Sequence, residues 1–163
     1  MPVTPFHFGP GTLLKACAPR AVSLTAFVIS QVLIDIEPGY HLFWGGWPLH
    51  REVHSLPVSG LVGIFAGMAV WLSGRRFRPS TNAVIRSEVD LWSALAGGLI
   101  GGLSHPLLDA IMHSDLQPFW PVSAANPLLA VMGLGYLHVL CVVSGVAGAA
   151  ILGIRFHLAR KAG

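Results

Sequence analysis

The chain has 163 residues, which suits a single domain, 1–163. Hydrophobic residues make up 53% and charged residues only 10%, where a soluble domain carries about 25% charged residues. With a mean hydropathy of +0.66, this excludes an ordinary soluble domain and points to an integral membrane protein. The isoelectric point of 9.3 does not imply a nucleic-acid partner: the basic residues are scattered between apolar runs rather than gathered in a stripe, as the positive-inside rule would have them.

In chain order, residues 1–20 open with Pro5, Gly9, Pro10 and Gly11. They leave room for a short helix over 12–18, too short to span a bilayer. Residues 21–37, AVSLTAFVISQVLIDIE, form an apolar run at the low end of spanning length, with Asp35 and Glu37 in its last turn and Pro38-Gly39 as a stop. No small-residue cleavage site follows, so the start does not read as a signal peptide. Residues 38–57 are expected to be a loop rich in Tyr, Trp and His, the composition of a membrane–water boundary. His41 belongs to that loop.

Residues 58–73 make a second span, followed by Arg75, Arg76 and Arg78 and a turn-rich linker at Pro79–Asn82. A third span starts near Val89. It holds Gly97-Gly98 and Gly101-Gly102, two overlapping GxxxG patterns that favour close helix contact, with a neighbour in the chain or in a dimer. Pro106 should kink or restart this helix. A second polar, aromatic loop covers 115–127, and residues 128–154 form the last span, ahead of Arg155, Arg160 and Lys161. His138 would lie roughly 15 Å into that span, on a proton or metal path or, as favoured, in an interhelical hydrogen bond. Cys17 and Cys141 sit in apolar surroundings and form neither a disulfide framework nor a CxxC site.

The fold class is therefore all-α: an integral membrane helical bundle of about four transmembrane helices plus a short N-terminal helix. With the Arg75–Arg86 linker in the cytoplasm, and if residues 8–19 dip into the membrane and turn back, every basic residue except Arg51 falls on that side. Asp35, Glu37, Glu52, Asp109 and Asp115 fall on the other.

The chemistry concentrates in Ser104–Pro121, SHPLLDAIMHSDLQPFWP. His105, Asp109 and His113 recur at steps of four. On a helix they drift by only about 80°, giving a row of N and O ligands suited to zinc or a similar divalent ion. His50 and His54 are a second i, i+4 pair. The stretch reads HREVH, not HExxH, so the zinc-peptidase arrangement is absent. Carboxylates at Asp35 and Glu37 oppose the negative end of their helix dipole and make better sense facing a cation. Span counting brings these groups and His7 to one end of the bundle.

Taken in order, TPFHFGPG, the apolar helix ending IDIEP, PLHREVHS and SHPLLDAIMHSDLQPFWP resemble the membrane-bound metal-dependent hydrolases, a bacterial and archaeal inner-membrane family, over about residues 3–122. The resemblance implies an inner-membrane location and a metal site lined by His7, Asp35, Glu37, His50, His54, His105 and Asp109. This chain departs from the better-known form of the family, having Asp35-Ile36-Glu37 in place of Asp-x-Asp and often one residue fewer between the loop histidines. A more distant similarity to zinc-dependent phospholipase C hints at a phosphoester.

The expected function is a metal-dependent hydrolase. One to three divalent ions, zinc foremost, would be held by His7, Asp35, Glu37, His50, His54, His105, Asp109 and His113, with Glu37 or Asp115 as general base. Ser55 and Ser104 are expected to give supporting hydrogen bonds. The substrate would be a membrane lipid or lipid-linked phosphoester at the extracytoplasmic face. The alternatives are a divalent-metal carrier and a non-catalytic structural metal site.

Overall fold

The computed structural model describes residues 4–50, 52–76 and 83–161. Arg51, Arg78 and the Pro79–Asn82 linker lie outside the described residues. A 3-10 turn at Thr4–His7 leads into α1 (Phe8–Cys17). After it come α2 (Leu24–Ile34), α3 (Ile36–Trp44), α4 (Leu56–Arg76), the short α5 (Ala83–Arg86), α6 (Leu91–Ala110) and α7 (Leu134–Lys161). No strand occurs among the described residues.

Among the described residues, three helices are long and apolar enough to cross a membrane: Leu56–Arg76, Leu91–Ala110 and Leu134–Ala159. The expected first span, 21–37, takes a different form. It is the 11-residue α2, about 16 Å long, and the chain then turns at Asp35 into α3. Pro38 does not stop the helix. It sits in the first turn of α3, where a missing N–H has no partner to lose. The expected loop at 38–44, His41 included, is therefore helical. Asp35 and Glu37 stand at the positive N-terminal end of α3, where carboxylates are favoured.

α6 is the centre of the bundle. Its two glycine rows meet two different helices of the same chain. Gly98 and Gly102 lie against Gly63 and Ser59 of the antiparallel α4. Gly97 and Gly101 lie against Ser23, Phe27 and Ser30 of the parallel α2. A Cβ at Gly98 would stand 2.1 Å from the Gly63 carbonyl oxygen, so only glycine allows this approach. α1 packs on α7 in the same manner, through Gly9, Gly145 and Gly148.

Pro106 does not restart α6, which runs unbroken to Ala110 with Pro106 fully buried. The last helix starts at Leu134 rather than 128. Asn126 accounts for the delay: its side-chain oxygen accepts from Leu128 N (3.2 Å), and its amide donates to the carbonyls of Ala110 (2.9 Å) and His113 (3.1 Å). This Asx turn pins the loop to the end of α6. His138 consequently lies four residues into α7, about 6 Å from its start.

At the far end from these loops, Lys15 is buried in an ion pair with Glu88 and donates to Val22 O (2.9 Å).

Candidate metal centre

The 3-10 turn, the α2–α3 junction, the 47–54 segment and the end of α6 bring His7, Asp35, Glu37, His50, His54, His105, Asp109, His113 and Asp115 to one end of the bundle. Among the described residues, two groups of ligand atoms emerge. In the first, Asp35, His54, His105 and Asp109 each offer one atom, all within 4.8 Å of one another. His105 Nε2 is 3.1 Å from Asp35 Oδ1 and 3.1 Å from Asp109 Oδ2. His54 Nε2 is 3.9 and 3.7 Å from the same two oxygens. A tetrahedral ion with bonds of about 2.0–2.1 Å has ligand separations of about 3.3–3.4 Å, so the four atoms already approximate its corners. The second group is His50, Asp109 and His113, and Asp109 belongs to both.

The histidine orientations strengthen the fit. His54 and His105 are fully buried, yet among the described residues their Nε2 atoms face the carboxylates without a well-aligned hydrogen bond. Their other nitrogens are engaged. His54 Nδ1–H donates to Glu37 Oε2 (3.1 Å), and His50 Nδ1–H donates to the Asp115 carboxylate (3.2 Å). His105 Nδ1–H donates to Gln31 Oε1. Gln31 is itself oriented by donating to Gly101 O (3.1 Å) and Ser104 Oγ (3.3 Å). A second residue thus fixes each ring through Nδ1 and leaves Nε2 as the ligand atom of the neutral ring, as second-sphere partners of metal-bound histidines do.

Burial holds the His7 and His50 imidazoles below their usual range, in the neutral form that a ligand needs. Burial also opposes a charge on His54, but the Asp35 and Glu37 carboxylates outweigh it and raise that imidazole. Asp115 is pushed up by burial and, more strongly, down by the Leu49 and His50 hydrogen bonds, and its carboxyl stays below the ordinary range.

Some expected residues take other positions. His113 is not on the helix row, because α6 ends before it. It reaches the second group through the following turn, its ring 4.1 Å from that of His50. His50 and His54 do not share a helix and serve different groups. His7 stands outside both groups, with Nε2 3.4 Å from Asp109 Oδ1. Glu37 and Asp115 lie behind histidines rather than among the ligand atoms of either group. Ser104 reaches the site through Gln31, whereas Ser55 Oγ donates to Glu52 O (2.6 Å). His138 Nε2 has no hydrogen-bond partner among the described residues, and its ring lies against Phe6. Gln31 and Asn126 were missed. Their signal was present: a lone amide in an apolar run one turn before Asp35, and an Asn-Pro step after the ligand row.

Beside His50, a cavity of about 250 Å³ is lined by Trp47, Glu52, Asp115, Gln117 and Trp120. Exposed Phe43, Trp44 and Trp47 surround this end of the molecule.

Fold and site together define a multi-pass helical membrane protein with a buried His/Asp cluster able to hold a metal ion. The chain belongs to the YdjM inner membrane protein family, whose model matches residues 15–160, and it is a multi-pass protein of the inner membrane. No match was found among curated proteins or among solved structures.

Proposed function

We propose that the chain is a metal-dependent hydrolase that acts on a phosphoester or lipid-linked substrate at the extracytoplasmic face of the membrane. The observation that carries this is Asp109, one carboxylate shared by two ligand groups, with the inward Nε2 atoms of His54 and His105 turned toward it. Divalent ions there, zinc foremost from the N and O ligands, would supply phosphoryl polarisation and a water nucleophile active near neutral pH. Asp109 holds the two positions together. Gln31, Glu37 and Asp115 keep the rings of His105, His54 and His50 in register, and in this scheme they act through those rings rather than as bases. The cavity between Trp47 and Trp120 admits the substrate beside His50, and the exposed aromatic residues seat this end at the lipid boundary. The basic helix ends lie at the opposite end of the bundle, and the positive-inside rule favours an extracytoplasmic side for the site.

The test is elemental mass spectrometry of the detergent-purified full chain, followed by turnover of lipid phosphomonoester and phosphodiester probes. About two ions per chain, with turnover abolished in the H105A/D109A double variant, is the expected result. Turnover unchanged in that variant would sink the mechanism. Bound metal that raises thermal stability without any turnover would assign a structural role.

A further inference from the structure

At the end of the bundle opposite the metal centre, three arginines from three elements line one cavity. Arg20 follows α1, Arg75 lies in the last turn of α4 and Arg86 ends α5. The cavity measures about 520 Å³ and is also lined by Trp71 and Asp90. Among the described residues none of the three arginines makes an ion pair. Arg75 is laid over the Trp71 ring, 5.1 Å from its centroid, which restrains the guanidinium. The single carboxylate, Asp90, is turned to the start of α6, where it accepts from Ser93 N (3.3 Å). The N-terminal end of this 20-residue helix adds its own positive potential. Three guanidiniums against one carboxylate make an anion site with the fork geometry that suits phosphate.

The cavity does not end there. Arg20 and Ala83 also line a second cavity, of about 220 Å³, which shares Leu152 and Phe156 with a third of about 440 Å³. That third cavity is an apolar groove between α2 and α7, lined by Val28, Ile29, Leu152 and Phe156. A polar head pocket that leads into an apolar groove matches an amphiphile better than a free anion. We propose that this face binds an anionic phospholipid, its phosphate held among Arg20, Arg75 and Arg86 and an acyl chain lying along α2 and α7. The positive-inside rule makes it a lipid of the cytoplasmic leaflet.

The test is native mass spectrometry of the full chain in detergent, mixed with phosphatidylglycerol, phosphatidylcholine or inorganic phosphate. Phosphatidylglycerol should be retained and phosphatidylcholine should not. R75Q/R86Q should lose retention by about tenfold or more. R76Q/K161Q, which removes the same charge outside the cavity, should not. If R75Q/R86Q loses its wild-type thermal transition, R20Q is measured in its place. Equal loss in the two double variants, or equal retention of both lipids, would overturn the proposal. Displacement of the lipid by millimolar inorganic phosphate would assign the site to a soluble anion and overturn the lipid.

Discussion

Gln31 and His105 are 74 residues apart in sequence and joined side chain to side chain in the core of the bundle. The bond sets which nitrogen of His105 carries the proton, and so which one faces Asp35 and Asp109. Replacing Gln31 with Leu keeps the volume and removes the acceptor. Metal affinity is expected to fall about 10–100-fold, read by competition with a chelating dye, while Gln31→Glu retains most of it. Unchanged affinity in the leucine variant would show that His105 needs no such support.

Asp109 contributes to both ligand groups, whereas His54 and His113 contribute to one each. D109A should therefore empty both positions, and H54A or H113A only one, as counted by elemental mass spectrometry on purified protein. Identical counts in D109A and H113A would contradict the shared carboxylate.

His54 contributes to the pH dependence of metal binding. Its imidazole lies above the usual range in the metal-free chain, so near neutral pH a cation must displace a proton there. Affinity should rise as pH rises above the ordinary histidine value of about 6.5, and His50, lowered by burial, should add less there. Calorimetric titration at several pH values in wild type and H54A measures the slope. A slope that survives in H54A would assign the proton elsewhere.

The glycine rows of α6 admit no Cβ. Gly98→Ala is expected to destabilise by about 1–3 kcal/mol or more through overpacking against Gly63. Gly153→Ala, which meets open space, should be close to neutral. Thermal unfolding in a single detergent compares the two.

Lys15 is 3% exposed and paired with Glu88. Lys15→Met leaves that carboxylate, partly exposed and still bonded to Thr25 N and Ser23 Oγ, without its cation and should cost about 1–3 kcal/mol. The double variant K15M/E88Q should recover much of the loss. A double variant no better than the single one would place the energy in the Lys15 bond to Val22 O instead.

The ligand set was legible in the sequence because His, Asp and Glu are conspicuous in apolar runs. His105 and Asp109 keep the helical register expected of them. What sequence spacing could not convey was the backbone between the motifs. The i, i+4 spacing of His50 and His54 suggests a helix, yet the segment is a bend followed by a 3-10 turn, and the pair divides between two groups. The acids at 35 and 37 read as a helix end because the break that makes them a helix start occurs at Asp35 itself. Pro106 reads as a breaker, yet α6 runs through it to Ala110. Each glycine row could have met any small-residue face. The partner of each is decided by packing against α2 and α4, which no single motif records.

The two short helices carry one more consequence. α1 and α2, with 10 and 11 residues, rise only about 15–16 Å, half of a hydrocarbon core about 30 Å thick. They join the arginine end to the metal centre, so His7 and Asp35 are held at a depth that a full-length helix would not give. On that flank the protein offers lipid a shorter apolar face than α4, α6 or α7 does, and the metal centre stands at the end of that shorter face.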